Sequence, residues 1–176
     1  ALNAPKFNPW VVIAAFIIPL LLTLIAYYNF DIYPLGEGKH RSVLTLDLNG
    51  QYIYYFEAIR DAFWGDGSLF YNWSRNLSGG FMGIIGYYLA SPFTLIPVLM
   101  PRQYMLQAIM IMQICKVGAC GATFCIYAQK SKKLSAYPSL IFSTMYSMMA
   151  FVVIQLINPM WIDGPILLPL IILGVE

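Results

Sequence analysis

Charge is what this sequence lacks. Only 10% of its 176 residues are Asp, Glu, Lys or Arg, against roughly 25% in ordinary soluble domains. The formal net charge of +2 is too small to argue for nucleic acid as a partner. There is one histidine, so no metal-binding His pair, and the sequence holds no phosphate-cradling Gly-rich loop, nucleophile elbow or internal repeat. Cys115, Cys120 and Cys125 recur every five residues. That spacing advances about 140° per step around a helix, so they share no face and lack metal-site spacing. With Gly118, Ala119, Gly121 and Ala122 they read as small residues packed between helices, and they say nothing of redox compartment.

What is present is apolar. Hydrophobic residues make up 60% of the chain and aromatics 16%, with a mean hydropathy of +0.68. One soluble core of this length has no room for so much apolar surface. Three runs, Trp10 to Tyr28, Tyr104 to Ala128 and Ala136 to Ile157, meet the requirement of about 20 residues for a spanning helix. A fourth begins at Pro165 and is still apolar at Glu176. A helix cut off mid-span is hard to stabilise alone, so the sequence reads as the N-terminal part of a longer, all-α, multi-pass membrane bundle. The first run is longer than a signal peptide's apolar region, and Ala26-Tyr27-Tyr28 is a poor cleavage site, which favours a retained helix.

Lys130, Lys132 and Lys133 lie in the short loop after the second run and place it in the cytoplasm by the positive-inside rule; Lys6 agrees. An outer loop over residues 29–103 follows, with Asn158 to Gly164 also outside. Gly83 to Met100 is apolar enough to span but carries Ser91-Pro92 and Pro97; it reads as an interfacial or re-entrant piece. Six of the eight acids fall in the outer loop, with His40 and five basic residues. From Asp47 the pattern turns helical. Tyr52, Phe56, Ile59 and Phe63 share one face, while Glu57, Arg60 and Asp61 fall elsewhere, as in an amphipathic juxtamembrane helix that ends at Trp64-Gly65-Asp66-Gly67.

Three residues stand out for chemistry. Asp47 opens the amphipathic helix. It is placed to be an N-cap, and equally a general base for a hydroxyl or a ligand of a divalent cation, the one cofactor the residues suggest. Asp163, in Asn158 to Pro165, is a second acid on the same predicted side, or a loop or cap residue. Lys116 lies near the middle of the second run, where an ammonium needs a phosphate, an acid or a wet gap. His40 beside Arg41 reads as a solvated loop. Asn72-Trp73-Ser74 and Asn76-Leu77-Ser78 match a short glycosylation pattern that matters only in a eukaryotic secretory pathway.

Taken in order, Asp47 with Gln51-Tyr52, then Tyr71 to Ser74, Gly86 to Phe93 and Asn158 to Asp163 with Pro165 and Pro169 resemble the N-terminal region of the bacterial YfhO membrane proteins. The resemblance covers nearly the whole chain. It implies a glycosyltransferase of GT-C type, with a polyprenyl-phosphate sugar as donor and a cell-envelope polymer such as lipoteichoic acid as acceptor, working on the outer face of the bacterial membrane. On that likeness Asp47 matches the loop acid that acts as base or metal ligand, Asp163 is a second catalytic acid, and Gln51, Tyr52 and Tyr88 lie by the donor. Relatives in the wider class often carry Lys before the proline of their Tyr-Tyr segment. Ala90-Ser91 stands there in this chain, leaving Arg41, Arg75 and Lys116 as candidates for the phosphate. Composition fits a transporter or lipid flippase equally well, and a non-catalytic subunit of an envelope-polymer machine is a third reading. The outer placement of the acids favours surface chemistry.

Overall fold

A computed structural model describes residues 6–37, 41–65, 67–73 and 79–176. The chain divides into two compact units, Asp31–Met112 and the rest. In the unit built from the chain's first 30 residues and from Gln113–Glu176, helix α1 (Pro9–Asn29) starts where local chemistry asks for it. The Asn8 side chain accepts from the Trp10 N–H at 3.0 Å and Pro9 occupies the first turn.

Helix α1 lies antiparallel to the long helix α5 (Met105–Lys130), and polar pins mark both ends of the contact. The Asn8 N–H donates to Gln129 Oε1 at 2.8 Å, and Gln129 Nε2 donates back to the Asn8 carbonyl at 3.3 Å. Nineteen residues on, the Tyr27 hydroxyl donates to Gln113 Oε1 at 3.0 Å. Each amide satisfies polar groups that hydrocarbon could not. Between the pins the backbones nearly touch. Pro19 lacks the N–H that would bond the Ala15 carbonyl, and that oxygen lies against Gly121, while Gly118 faces the Phe16 carbonyl, 2.7 Å from where a Cβ would sit. The small residues therefore serve close helix approach.

A substitution tests this contact. Gly121→Ala should gain about 1 kcal/mol of helix propensity yet lose roughly 1–3 kcal/mol to overpacking. A lowered thermal midpoint in detergent is expected. Gly174→Ala, with open space around it, should not fall. A midpoint for Gly121→Ala at or above wild type would mean that the helices do not meet there.

The third apolar run departs from expectation. It is not one helix over 136–157 but α6 (Ala136–Ser147) and α7 (Ala150–Ile154) with a 3₁₀ turn Gln155–Ile157, bent by 42°. The serine and threonine hydroxyls of α6 explain the break. Ser143 and Thr144 donate to the carbonyls of Ser139 and Leu140, and Ser147 to that of Thr144, a pattern that bends helices. Residues 158–164 form no open loop either. A 3₁₀ turn Pro159–Ile162 leads directly into α8 (Asp163–Val175), so the last helix starts before Pro165. This helical hairpin turns beside the interior of α5, with Gln113 Nε2 on the Leu156 carbonyl at 2.7 Å. It returns to Ser131 and Lys132, which bond Glu176.

In the unit Asp31–Met112, a π-helical turn Leu48–Tyr52 continues as α2 (Ile53–Trp64), which ends on Gly65 at φ 95°, a left-handed value that glycine adopts without cost. The strands β1 (Tyr71–Asn72) and β2 (Gly79–Gly80) pair antiparallel. Residues 82–99 form two short helical pieces: α3 (Met82–Ile84) with the π turn Ile85–Leu89, then Pro92–Thr94 with α4 (Leu95–Leu99). They meet at 106°. Eight residues of helix reach about 12 Å, against about 30 Å of hydrocarbon, so neither piece crosses alone. Among the described residues two helices, Pro9–Asn29 and Arg102–Lys130, are long and apolar enough to cross a membrane, or up to four spans if each bent pair is one.

Candidate functional site

The site grows from the turn at Asp47. The backbone of Leu46 takes a positive φ of 49°. The next turn is held by main-chain bonds: Leu48 N–H to Thr45 O at 3.1 Å, and Asn49 and Gly50 N–H to Leu46 O at 3.1 and 2.9 Å. Asp47 itself has helical angles (φ −61°, ψ −30°) and makes no side-chain cap bond. An N-cap needs an extended backbone, so the capping role that its position suggested is not the one it plays. Its side chain is exposed, and among the described residues it has no ion-pair partner.

Two π turns meet here. Tyr52 is fully buried and sets its ring edge-on against Tyr88 at 5.3 Å, while Tyr55 lies 5.1 Å and Tyr87 4.7 Å from Tyr88. Leu48, Tyr52 and Phe56 form the buried face of this helix. The amphipathic stripe stops short of Phe63, which is 56% exposed and packs edge-on against Trp64. Tyr52 and Tyr88 pack the two turns against each other. π turns recur at functional sites because the extra residue re-aims side chains.

Helix α2 is bonded to the strand of chain that leads into α5. Arg60 Nε donates to the Met100 carbonyl at 3.0 Å, Trp64 Nε1 donates to the Val98 carbonyl at 2.9 Å, and Arg102 approaches Glu57 at 3.5 Å. Since α5 is a candidate span, α2 sits at the level where that span begins. Beside it opens a cleft of about 610 Å³, lined by Gln51, Tyr54, Tyr55, Glu57, Asp61 and Arg102, with Asn72 and Phe81 across from them. Asp47 stands one helical turn before Gln51. Of the candidate site residues that the structure describes, Gln51 alone lines this cleft. Glu57 and Asp61 are neighbours at i, i+4 on the helix, and Asn72 falls in the family-like stretch Tyr71 to Ser74; Arg102 carried no such signal. Arg41 lies outside the lining. It is exposed, and its carbonyl accepts from the Tyr33 N–H at 3.1 Å. Arg75 and His40 lie outside the described residues.

Lys116 and Asp163 meet in the other unit. Lys116 Nζ lies 3.0 and 2.9 Å from the two Asp163 carboxylate oxygens and 2.8 Å from the Pro159 carbonyl. The ammonium is fully buried and its three N–H groups have three acceptors. Asp163, read in sequence as an acid on the same predicted side as Asp47, lies level with Lys116, about 21 Å along α5 from Lys130 by helix rise. In this arrangement the carboxylate neutralises the buried ammonium. Among the described residues no three His, Cys, Asp or Glu side chains come together as a metal site, so a cation at Asp47 would draw its other ligands from elsewhere.

Apolar helices of spanning length, with a lysine–aspartate pair buried among them, define a helical integral membrane protein. The chain belongs to the YfhO family: a family model described as bacterial membrane protein YfhO matches residues 14–176. No curated protein and no solved structure matches the chain.

Proposed function

We propose that the chain belongs to a membrane glycosyltransferase of GT-C type that moves a sugar from a polyprenyl-phosphate donor to a cell-envelope polymer such as lipoteichoic acid, on the outer face of the membrane. One observation carries the reading: Asp47 is a carboxylate that caps no helix and pairs with no cation among the described residues, one turn from a polar cleft at the head of a membrane span. Membership of the YfhO family supports the same class. The loop's outward orientation rests on Lys130, Lys132 and Lys133.

In this reading the acceptor hydroxyl loses its proton to Asp47 as its oxygen bonds the anomeric carbon. The anomeric carbon–oxygen bond to phosphate breaks, and polyprenyl phosphate leaves with the electron pair, inverting the centre. Arg41 and Arg75 remain the candidates to neutralise that phosphate, with Gln51 at the cleft edge. A divalent cation, if one takes part, would bind Asp47. Lys116 and Asp163 hold the helical hairpin against α5.

The deciding experiment reconstitutes the full-length protein in liposomes with a polyprenyl-phosphate sugar and a lipoteichoic-acid acceptor. Sugar appearing on the acceptor supports the reading; no transfer across a panel of donors sinks it. The buried Lys116–Asp163 pair is the one observation that favours a transporter or flippase, since intramembrane charges mark transport paths. That reading requires labelled lipid to cross the liposome bilayer without any sugar transfer.

A further inference from the structure

The cleft beside α2 is not isolated. A second hollow of about 460 Å³ shares Ala58, Asp61 and Asn72 with it and runs on past Tyr71 and Trp73. The two make one groove along the polar face of α2, and each falls in the ~300–1,000 Å³ range of small-molecule sites.

The groove's chemistry selects its ligand. Glu57 is drawn to Arg102 at 3.5 Å and Asp61 to Arg60 at 3.7 Å, so among the described residues each carboxylate has its own cation and the groove carries no surplus of positive charge. With its arginines already paired, the groove gives phosphate no net attraction. Ionised carboxylates only accept hydrogen bonds, and the Gln51 and Asn72 amides both donate and accept, which suits hydroxyl groups. Tyr54 (62% exposed) and Trp73 (81% exposed) offer flat, partly apolar ring faces to the wet surface, as the C–H face of a sugar ring requires. Arg102 leads into the membrane span, so the groove opens at the level where a lipid-borne chain would be presented.

We propose that this groove binds two consecutive uncharged sugar units, with Glu57 and Asp61 accepting hydrogen bonds from ring hydroxyls and Tyr54 and Trp73 stacking on ring faces. The inference rests on the glycosyltransferase reading only for the ligand's source: either two units of the acceptor, or one acceptor unit beside the sugar of the donor.

Saturation-transfer NMR on the full-length protein in a sugar-free detergent tests it, with glucose, cellobiose and inorganic phosphate as probes. Transfer to cellobiose should exceed that to glucose. It should fall at least about fivefold in Glu57→Gln/Asp61→Asn, a near-isosteric pair of changes, and in Asn72→Ala. It should be unchanged in Glu37→Gln, an acid of the same unit outside the groove, and unaffected by equimolar phosphate. Absence of transfer to either sugar, full retention in both groove variants, or displacement by phosphate would overturn the proposal. In the liposome assay the groove variants should raise KM for donor or acceptor, and which one rises identifies the source. Sugar binding without transferase activity would leave the groove standing and remove the glycosyltransferase reading. Transfer with neither KM moved would do the reverse.

Discussion

Asp47→Asn is expected to lower the turnover of sugar transfer by about 10²–10⁴-fold, the range a positioned general base contributes, while the protein stays as stable as wild type. Asparagine keeps the size and the hydrogen-bonding oxygen but cannot take a proton. The stability half of the prediction follows from the turn itself. Main-chain bonds to the Thr45 and Leu46 carbonyls hold the first turn, and the Asp47 side chain makes no cap bond. An exposed side chain with no such duty is usually worth no more than about 0.5 kcal/mol, whereas a working cap is worth about 0.5–2 kcal/mol. Turnover measured in liposomes and a thermal midpoint measured in detergent separate the two. Undiminished turnover would strip Asp47 of its role as base; a large drop in stability would return it to the structural column.

The second large effect is expected at Lys116. Its side chain is 2% exposed and that of Asp163 is 24% exposed, at 2.9 Å. Lys116→Met removes one partner and leaves a carboxylate within the depth of the span, where uncompensated charge costs roughly 3–5 kcal/mol. Asp163→Asn leaves the ammonium instead, at similar cost. The double variant Lys116→Met/Asp163→Asn removes both charges and should recover most of the loss, because a buried pair often contributes little beyond cancelling its own burial. A double-mutant cycle on the unfolding free energy reads the coupling directly. If Lys116→Met left stability intact but abolished transfer, the lysine would be a phosphate ligand after all and the pair a resting arrangement.

Much of the fold was legible from short stretches of sequence. The uncharged run from Trp10 to Tyr28 marks α1, and the pattern from Asp47 marks an amphipathic helix, because run length, propensity and the 3.6-residue period are local properties of the chain. The prolines of residues 83–100 likewise announced a segment unable to run straight. What escaped was set by partners. Phe63 fits the apolar stripe by spacing but lies past the point where α2 meets the second π turn, so it remains exposed. Residues 136–157 read as a straight span because their hydroxyls count as nearly apolar in hydropathy, whereas in the helix they bond to its own carbonyls and bend it.

The sequence by itself determined that this chain belongs in a membrane, where its long helices run and which acid opens the surface helix. Composition, run length and ordered motifs carry that information locally. Only the tertiary structure decided that Lys116 is spoken for by Asp163, 47 residues away, that Gln113 and Gln129 pin α1 to α5, and that Glu57, Asp61, Asn72 and Arg102 share one groove. A charge buried in hydrocarbon must find a counter-charge wherever the packing brings one. That choice depends on which helix faces meet, and no local pattern encodes it.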